Sequence, residues 1–285
     1  MNMKRYIIGV MAFLLSLSVA AQITYTKADS LTICRLLKEA PANASTLWFA
    51  RQFHGRPYVA HTLEVNDSEQ LVVNTRELDC TTLVETVTAL TLCVKQEKRQ
   101  WTDYLQTLRT LRYRQGVLNG YPSRLHYFTD WILDKQQMGL VSEIQQSNPP
   151  FTAVQHIKVG FMSQHPEYYK ALKANPSLVK EIRQQEKALT GKTFRYIPKQ
   201  EVKNTRLMRQ TIKDGDILAI TCNKKGLEIA HLGFAVWQKD GLHLLNASQL
   251  HHKVVTEPMT LRQYLQKHST HTGIRVIRIK YSNSK

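Results

Sequence analysis

The sequence has 285 residues, 39 Lys+Arg against 22 Asp+Glu for a formal charge of +17, and 42% hydrophobic residues. With only 12 Gly and 9 Pro, that balance excludes a disordered or fibrous chain and fits a packed globular protein. Four cysteines at this length are too few for a disulfide scaffold.

At the start of the chain, Lys4 and Arg5 precede an apolar run from Tyr6 to about Ala20. Small residues at Ser18 and Ala20, or Val19 and Ala21, complete a signal-peptide pattern over residues 1–21, with cleavage after Ala20 or Ala21. The run is short of the roughly 20 apolar residues that a membrane span needs. Removing Lys4 and Arg5 takes two charges from +17 and leaves +15, so the mature part is itself basic. No other stretch approaches spanning length, and the expectation is an exported, periplasmic protein without a stable membrane span after cleavage. The basic residues are scattered, as Lys95/Lys98/Arg99, Arg109/Arg112/Arg114 and Lys170/Lys173, with no finger or helix-turn-helix pattern. An acidic envelope polymer or its fragments is therefore the expected partner, and nucleic acid is not.

Beyond the leader, Leu31, Ile33, Leu36 and Leu37 predict a helix over Ser30–Lys38, ended by Pro41. A second helix is predicted over Asn43–Phe53, capped by Asn43 or Ser45, followed by a turn-rich loop and a short strand at Gln70–Asn74. From Cys80 onward Leu83, Val84, Val87, Leu90 and Val94 recur at helical spacing, and another helix fits Thr102–Arg114. The region 116–201 holds the aromatic segment Arg124–Ile132 and a polar helical stretch near Ser177–Ala188, and reads as a helical insertion. From Asp214 the chain turns to β: GDILAITC, HLGFAVWQ and LHLLNAS, separated by turn signals. A helix at about Leu261–Lys267 and a strand at Gly273–Lys280 close it. Helices followed by an antiparallel sheet give an α+β class.

The chemistry concentrates on Cys80. It follows Asp79 at a helix start, where unpaired amides and the helix dipole favour a thiolate and can also donate to an oxyanion. A small buried hydrophobe is the ordinary alternative for such a cysteine. Cys93 falls on another face of the same helix, too far along its axis for a disulfide with Cys80; Cys222 ends a strand, and Cys34 sits in an apolar helix. His231 opens a strand from which its ring can reach a helix start as a base. Asn246 and His243 are both candidates to orient that ring, and strand alternation puts them on opposite faces, so only one can do so. His251, His252, His268 and His271 lack a cysteine or carboxylate at ligand spacing, so neither a metal nor another cofactor is expected.

Asp-Cys-Thr-Thr-Leu-Val at 79–84 resembles the signature of NlpC-like papain-fold cysteine peptidases, and Gly-Arg-Pro-Tyr at 55–58 is similar to their upstream glycine-proline-tyrosine segment. Downstream, Asp-Gly-Asp-Ile-Leu at 214–218, His-Leu-Gly-Phe-Ala-Val at 231–236 and Leu-Leu-Asn-Ala-Ser at 244–248 resemble, in the same order, the family's strand start, histidine strand and third-residue strand. With Arg124–Ile132 and the helical insert, the chain looks like the N-acetylmuramoyl-L-alanine amidase branch. The resemblance implies a single papain-like domain over 22–285, its cysteine-bearing helix packed on an antiparallel sheet. It also implies Cys80 as nucleophile and His231 as base, with Asn246 at the orienting position. Asn246 stands where relatives often carry histidine, and Thr81-Thr82 replaces Ser-Gly. The expected substrates are peptidoglycan or muropeptide fragments, cut between N-acetylmuramic acid, in its ordinary or 1,6-anhydro form, and L-alanine. Tyr58, Arg124, Tyr127 and Trp131 are candidate substrate contacts, because aromatic faces stack on sugars and a guanidinium pairs with a carboxylate. A D-glutamyl-diamino acid endopeptidase and a noncatalytic wall-binding module are the alternatives.

Overall fold

The structure, a computed structural model, describes residues 23–280; the expected signal segment and its cleavage point lie outside the described residues. The described residues begin with β1 (Ile23–Thr24), α1 (Lys27–Glu39), α2 (Thr46–Arg51), β2 (Leu71–Val72), α3 (Cys80–Lys95) and α4 (Trp101–Arg112). Next come α5 (Phe128–Gln137), β3 (Val141–Ile144), β4 (Ala153–His156), α6 (Phe161–Gln164), α7 (Lys170–Ala174), α8 (Leu178–Leu189) and β5 (Thr193–Pro198). The last third is α9 (Arg206–Thr211), β6 (Ile217–Cys222), β7 (Ile229–Trp237), β8 (Leu242–Ser248), β9 (Lys253–Thr256), α10 (Leu261–Lys267) and β10 (His271–Ile279).

Helix α3 starts at Cys80 because Asp79 closes a capping box: Asp79 Oδ1 accepts from Thr82 N–H at 2.7 Å, and Asp79 N–H donates to Thr82 Oγ1 at 2.9 Å. Every residue of α3 from Thr82 to Val94 is buried, so the helix is wrapped on all sides and not laid on a surface. Its one buried acid, Glu85, accepts from Arg112 Nε on α4 at 2.7 Å, which locks those two helices together. Removing either partner would strand a buried charge, at a cost of about 3–5 kcal/mol.

The strands form an eight-stranded antiparallel sheet in the order β4-β5-β10-β6-β7-β8-β9, with β3 also on β10. One apolar core joins α1 to α5 to one face, through residues such as Leu83, Val87, Phe234 and Leu245. A second core lies on the other face under α9 and α10, around Leu218, Ala235, Leu244 and Leu261. The protein is thus a mixed α/β fold with an antiparallel sheet.

The region 116–201, expected to be helical, also supplies β3, β4 and β5 to the sheet. Those strands are short, and VSEI and AVQH carry too little alternation to stand out in sequence. The short strand expected at Gln70–Asn74 contracts to Leu71–Val72, paired in parallel with β1. His231 is the third residue of β7 and not its first.

Candidate active site

Cys80 at the start of α3 and His231 on β7 line one cleft of about 260 Å³, walled by Thr81, His126, Tyr127 and Met162 among others. All four cysteines are free thiols. The Cys80 thiol is pushed up to about 12, chiefly by burial and then by the Asp79 carboxylate, against favourable backbone groups at Leu232 and Thr81. This differs from the expectation of a resting thiolate: desolvation outweighs what the helix start offers. Burial also lowers the His231 pKa, partly offset by its bond to Asn246 and by the field of Glu257. The resting pair is therefore a thiol and a neutral imidazole.

The ring of His231 is held from behind. Its Nε2 lies 2.9 Å from Asn246 Oδ1, while Asn246 Nδ2 donates to Glu257 Oε1 at 2.9 Å. Because the amide's N–H side is committed to a carboxylate, its oxygen must face the imidazole, so His231 carries its proton on Nε2 and keeps the Nδ1 lone pair as a base. Asn246 and Glu257 have no solvent exposure. The second oxygen of Glu257 meets His251 Nε2 at 3.1 Å. Tyr264 lies 6.4 Å from His231, ring centre to ring centre, in a cluster that continues through His268 and His271.

His243 takes no part in this. Three residues from Asn246 along β8, it points to the other face, where Nδ1 meets the Glu257 carbonyl and Nε2 meets Asp240, each at 2.9 Å.

The four substrate candidates separate. Tyr58 is half-buried near Cys80, and its hydroxyl is pushed up to about 12 by burial and by Cys80 and Asp79, so it stays a neutral donor. Tyr127 lines the cleft, but its hydroxyl donates to Glu186 at 2.7 Å and accepts from Met162 N–H at 3.2 Å. Arg124 is not presented to the cleft: it is buried against Glu64 at 2.5 Å and Glu69 at 3.4 Å, over the Tyr121 ring. Trp131 is 1% exposed and stacks on Phe128 at 4.9 Å, within the core. The corrections share a cause: an aromatic and basic segment serves packing as readily as recognition, and the side that Trp131 presents is set by how α5 lies against β3 and α4.

Sequence reasoning missed His126 and Glu257. His126, in the cleft wall, is pulled down to about 3 by burial and the neighbouring Arg124. Glu257 follows β9, and nothing in its local sequence marks it.

Comparison with known proteins places the chain among amidase-like proteins. The chain belongs to the AmiA-like family, described as N-acetylmuramoyl-L-alanine amidase-like, whose family model matches residues 48–274. It is similar to the crystal structure of an N-acetylmuramoyl-L-alanine amidase from Bacteroides uniformis ATCC 8492, at 38% identity over 84% of this chain and 99% of that one, with a TM-score of 0.78. It is also similar to a candidate xylanase from Bacteroides fragilis, at 41% identity over 81% and 99% of the two chains, with a TM-score of 0.75. A Legionella pneumophila protein, 22% identical over 89% and 95% of the chains with a TM-score of 0.68, shares the fold alone. Comparison with curated proteins gives no match.

Proposed function

We propose that the protein is a cysteine-dependent N-acetylmuramoyl-L-alanine amidase on a papain-like, NlpC-type fold, a single domain over 22–285, exported to the periplasm after loss of residues 1–21. Its substrates are peptidoglycan fragments carrying N-acetylmuramic acid, the 1,6-anhydro form included. The observation that carries the reading is the shared cleft of Cys80 and His231, with Asn246 on the far nitrogen of the imidazole.

In this reading the Cys80 thiol proton passes to His231 Nδ1 as sulfur bonds to the lactyl carbonyl carbon of the muramic acid. The oxyanion forms beside the Cys80 backbone N–H, with the neutral Tyr58 hydroxyl as a second donor. His231 then gives its proton to the nitrogen of L-alanine, the C–N bond breaks, and a thioester remains. Water, deprotonated by His231, releases the muramic acid and restores the thiol. Starting from a neutral pair, proton transfer accompanies attack, and Asn246 keeps one tautomer throughout.

The xylanase name of one relative does not transfer. A glycosidase uses two carboxylic acids across the bond it cuts. Among the described residues lining this cleft the one carboxylate is Glu228, 3% exposed, which accepts from Thr129 N–H at 3.1 Å and faces inward.

The test is mass spectrometry of defined muropeptides treated with the protein and with Cys80→Ala. Release of the intact stem peptide by the wild type alone supports the amidase. Cleavage after D-glutamate establishes the endopeptidase instead, and no product from any fragment leaves a wall-binding module.

A further inference from the structure

Four side chains run in one hydrogen-bonded line from the thiol cleft to the surface. His231 Nε2 meets Asn246 Oδ1 at 2.9 Å, Asn246 Nδ2 meets Glu257 Oε1 at 2.9 Å, and Glu257 Oε2 meets His251 Nε2 at 3.1 Å. Asn246 and Glu257 have no solvent exposure, whereas the His251 side chain is 36% exposed, so the line reaches water at His251. Among the described residues, His251 is the one ionisable side chain bonded to the Glu257 carboxylate. A carboxylate only accepts, so His251 presents an N–H to it whether the ring is neutral or cationic.

The turn that carries His251 is tied to the cleft by a second route. It spans 249–252 between β8 and β9, where Ser248 pairs with Lys253. His252 has a left-handed backbone at φ +54°, and its carbonyl accepts from Tyr58 N–H at 3.0 Å; Val254 N–H donates to the Arg56 carbonyl at 2.8 Å. His251 is thus held on the segment that places Tyr58 near Cys80.

The charge at the end of this line decides how strongly Glu257 acts. With His251 neutral, the full carboxylate charge favours the imidazolium that forms as Cys80 gives its proton to His231. With His251 cationic, an opposite charge sits about 3 Å from the carboxylate, and the imidazolium loses that support. Histidine changes charge between about pH 5 and 8, so both states are reached near neutrality. His231 is faced besides by Cys80 and Asp79 from α3, Tyr264 and His268 at α10, and His271 on β10. The segments packed on the turn bring Arg56, Tyr58, His252 and Lys253, while His243 holds the Glu257 carbonyl and His54 meets Thr256 Oγ1. These groups are common to the proteins compared below.

We propose that His251 is a positioning residue for the thiol reaction, a surface control that lowers Cys80 reactivity when it takes up a proton. It acts through Glu257 and Asn246 on the imidazolium of His231. The inference rests on the Cys80 and His231 pairing of the amidase reading, and not on which amide is cut. His251 Nε2 lies within about 13 Å of His231 Nε2 along the line. At an effective dielectric of about 20–40, suited to a partly exposed group, one charge at that distance changes the imidazolium population about 3–10-fold.

The test follows alkylation of Cys80 by iodoacetamide from about pH 5.5 to about pH 8.5 in the wild type, His251→Gln and His251→Arg. Peptide mass spectrometry separates Cys80 from the exposed Cys34, and the buried Cys93 checks each variant, since it stays unlabelled in a folded chain. Glutamine keeps an N–H donor and carries no charge at any pH; arginine is cationic throughout. The rate ratio of His251→Gln to wild type is expected to climb about 3–10-fold from the alkaline to the acid end, and His251→Arg to react about 3–10-fold slower than His251→Gln at the alkaline end. A ratio that is flat with pH, or glutamine and arginine variants that react alike, would overturn the proposal and reduce His251 to a structural partner of a buried carboxylate. His231→Ala, read in the same way, tests the pairing itself: unchanged alkylation of Cys80 there sinks the Cys80 and His231 reading separately.

Discussion

Glu257→Gln isolates the charge behind the imidazole. The glutamine side chain is isosteric, and its amide oxygen can still accept from Asn246 Nδ2, so Asn246 keeps its orientation while the negative charge disappears. Two hydrogen bonds of 2.9 Å in series across one amide group set the Glu257 carboxylate within about 8 Å of His231 Nε2. At an effective dielectric of about 20 a unit charge at that distance stabilises the imidazolium by about 2 kcal/mol. The step that protonates His231 should slow by up to about 30-fold, and kcat/KM for muramoyl-L-alanine release should fall by about 10–30-fold. The pH profile gives the sharper reading. The field of Glu257 raises a His231 pKa that burial has lowered; without it the ring holds its proton less well still. The acid limb of kcat/KM, where the base becomes neutral, should therefore move to lower pH while the plateau drops. Glu257→Asp, which keeps the charge, should hold the limb near its wild-type position. A Glu257→Gln profile superimposed on the wild type, at an unchanged melting temperature, would refute the argument.

Tyr58→Phe, which removes a neutral hydroxyl near Cys80, should lower kcat by about 10–100-fold with little change in KM; steady-state kinetics check this, and an unaltered kcat removes Tyr58 from oxyanion stabilisation. Arg124→Ala should act on stability, at a cost of about 3–5 kcal/mol, because Glu64 and Glu69 lose their counter-charge and Glu69 keeps only the Tyr113 hydroxyl, while KM holds; chemical denaturation beside kinetics separates the two effects. Acid should destabilise the fold. His126 at about 3 and His271 at about 4 stay neutral when folded but titrate near 6.5 when unfolded, so the unfolded chain binds more protons as pH falls below 6.5. Each costs about 1.4 kcal/mol per pH unit, offset in part by Glu69 and Glu228, whose raised values favour protonation in the folded state. Denaturant midpoints should decline from pH 7 to pH 5, and less steeply in His126→Gln; flat midpoints would show that the histidines do not carry the effect.

What the sequence made legible is what local physics decides. Asp79 with Thr82 two places beyond Cys80 is a capping pattern, and the apolar spacing after it fits a helix, so the position of the thiol follows from residues within one turn of it. The short apolar and β-branched runs ILAITC, HLGFAVW and LHLLNAS, set off by turn signals, likewise deliver β6, β7 and β8. Helix α10 falls where the sequence puts it because Thr260 and Gln263 form a capping box of their own. The protonation state of Cys80 was beyond that reach: a helix start is visible in the sequence, but the burial that overrides it is made by β7 and by segments more than 40 residues away.

The pairing of His231 with Asn246 shows the same division at finer scale. Alternation alone separates Asn246 from His243, since residues three apart on a strand face opposite ways. Which of them meets His231 depends on register, and Phe234 pairs with Leu245. Continued one step, that register sets Gly233 opposite Asn246, with His231 two residues along as the diagonal neighbour. Gly233 is tightly constrained here, because a Cβ on it would lie 2.7 Å from the Leu245 carbonyl oxygen and from Leu244 Cδ1. An alanine would have to push β7 from β8, and with it His231 from Asn246, at about 1–3 kcal/mol for the overpacking. The glycine in His-Leu-Gly-Phe-Ala-Val is thus part of the geometry that brings the imidazole to its amide. Glu257 has no such local trace. It reaches Asn246 because β9 follows β8 in an antiparallel pair and its own N–H and carbonyl are fixed by Leu244 and His243, a placement that exists only once the sheet has formed.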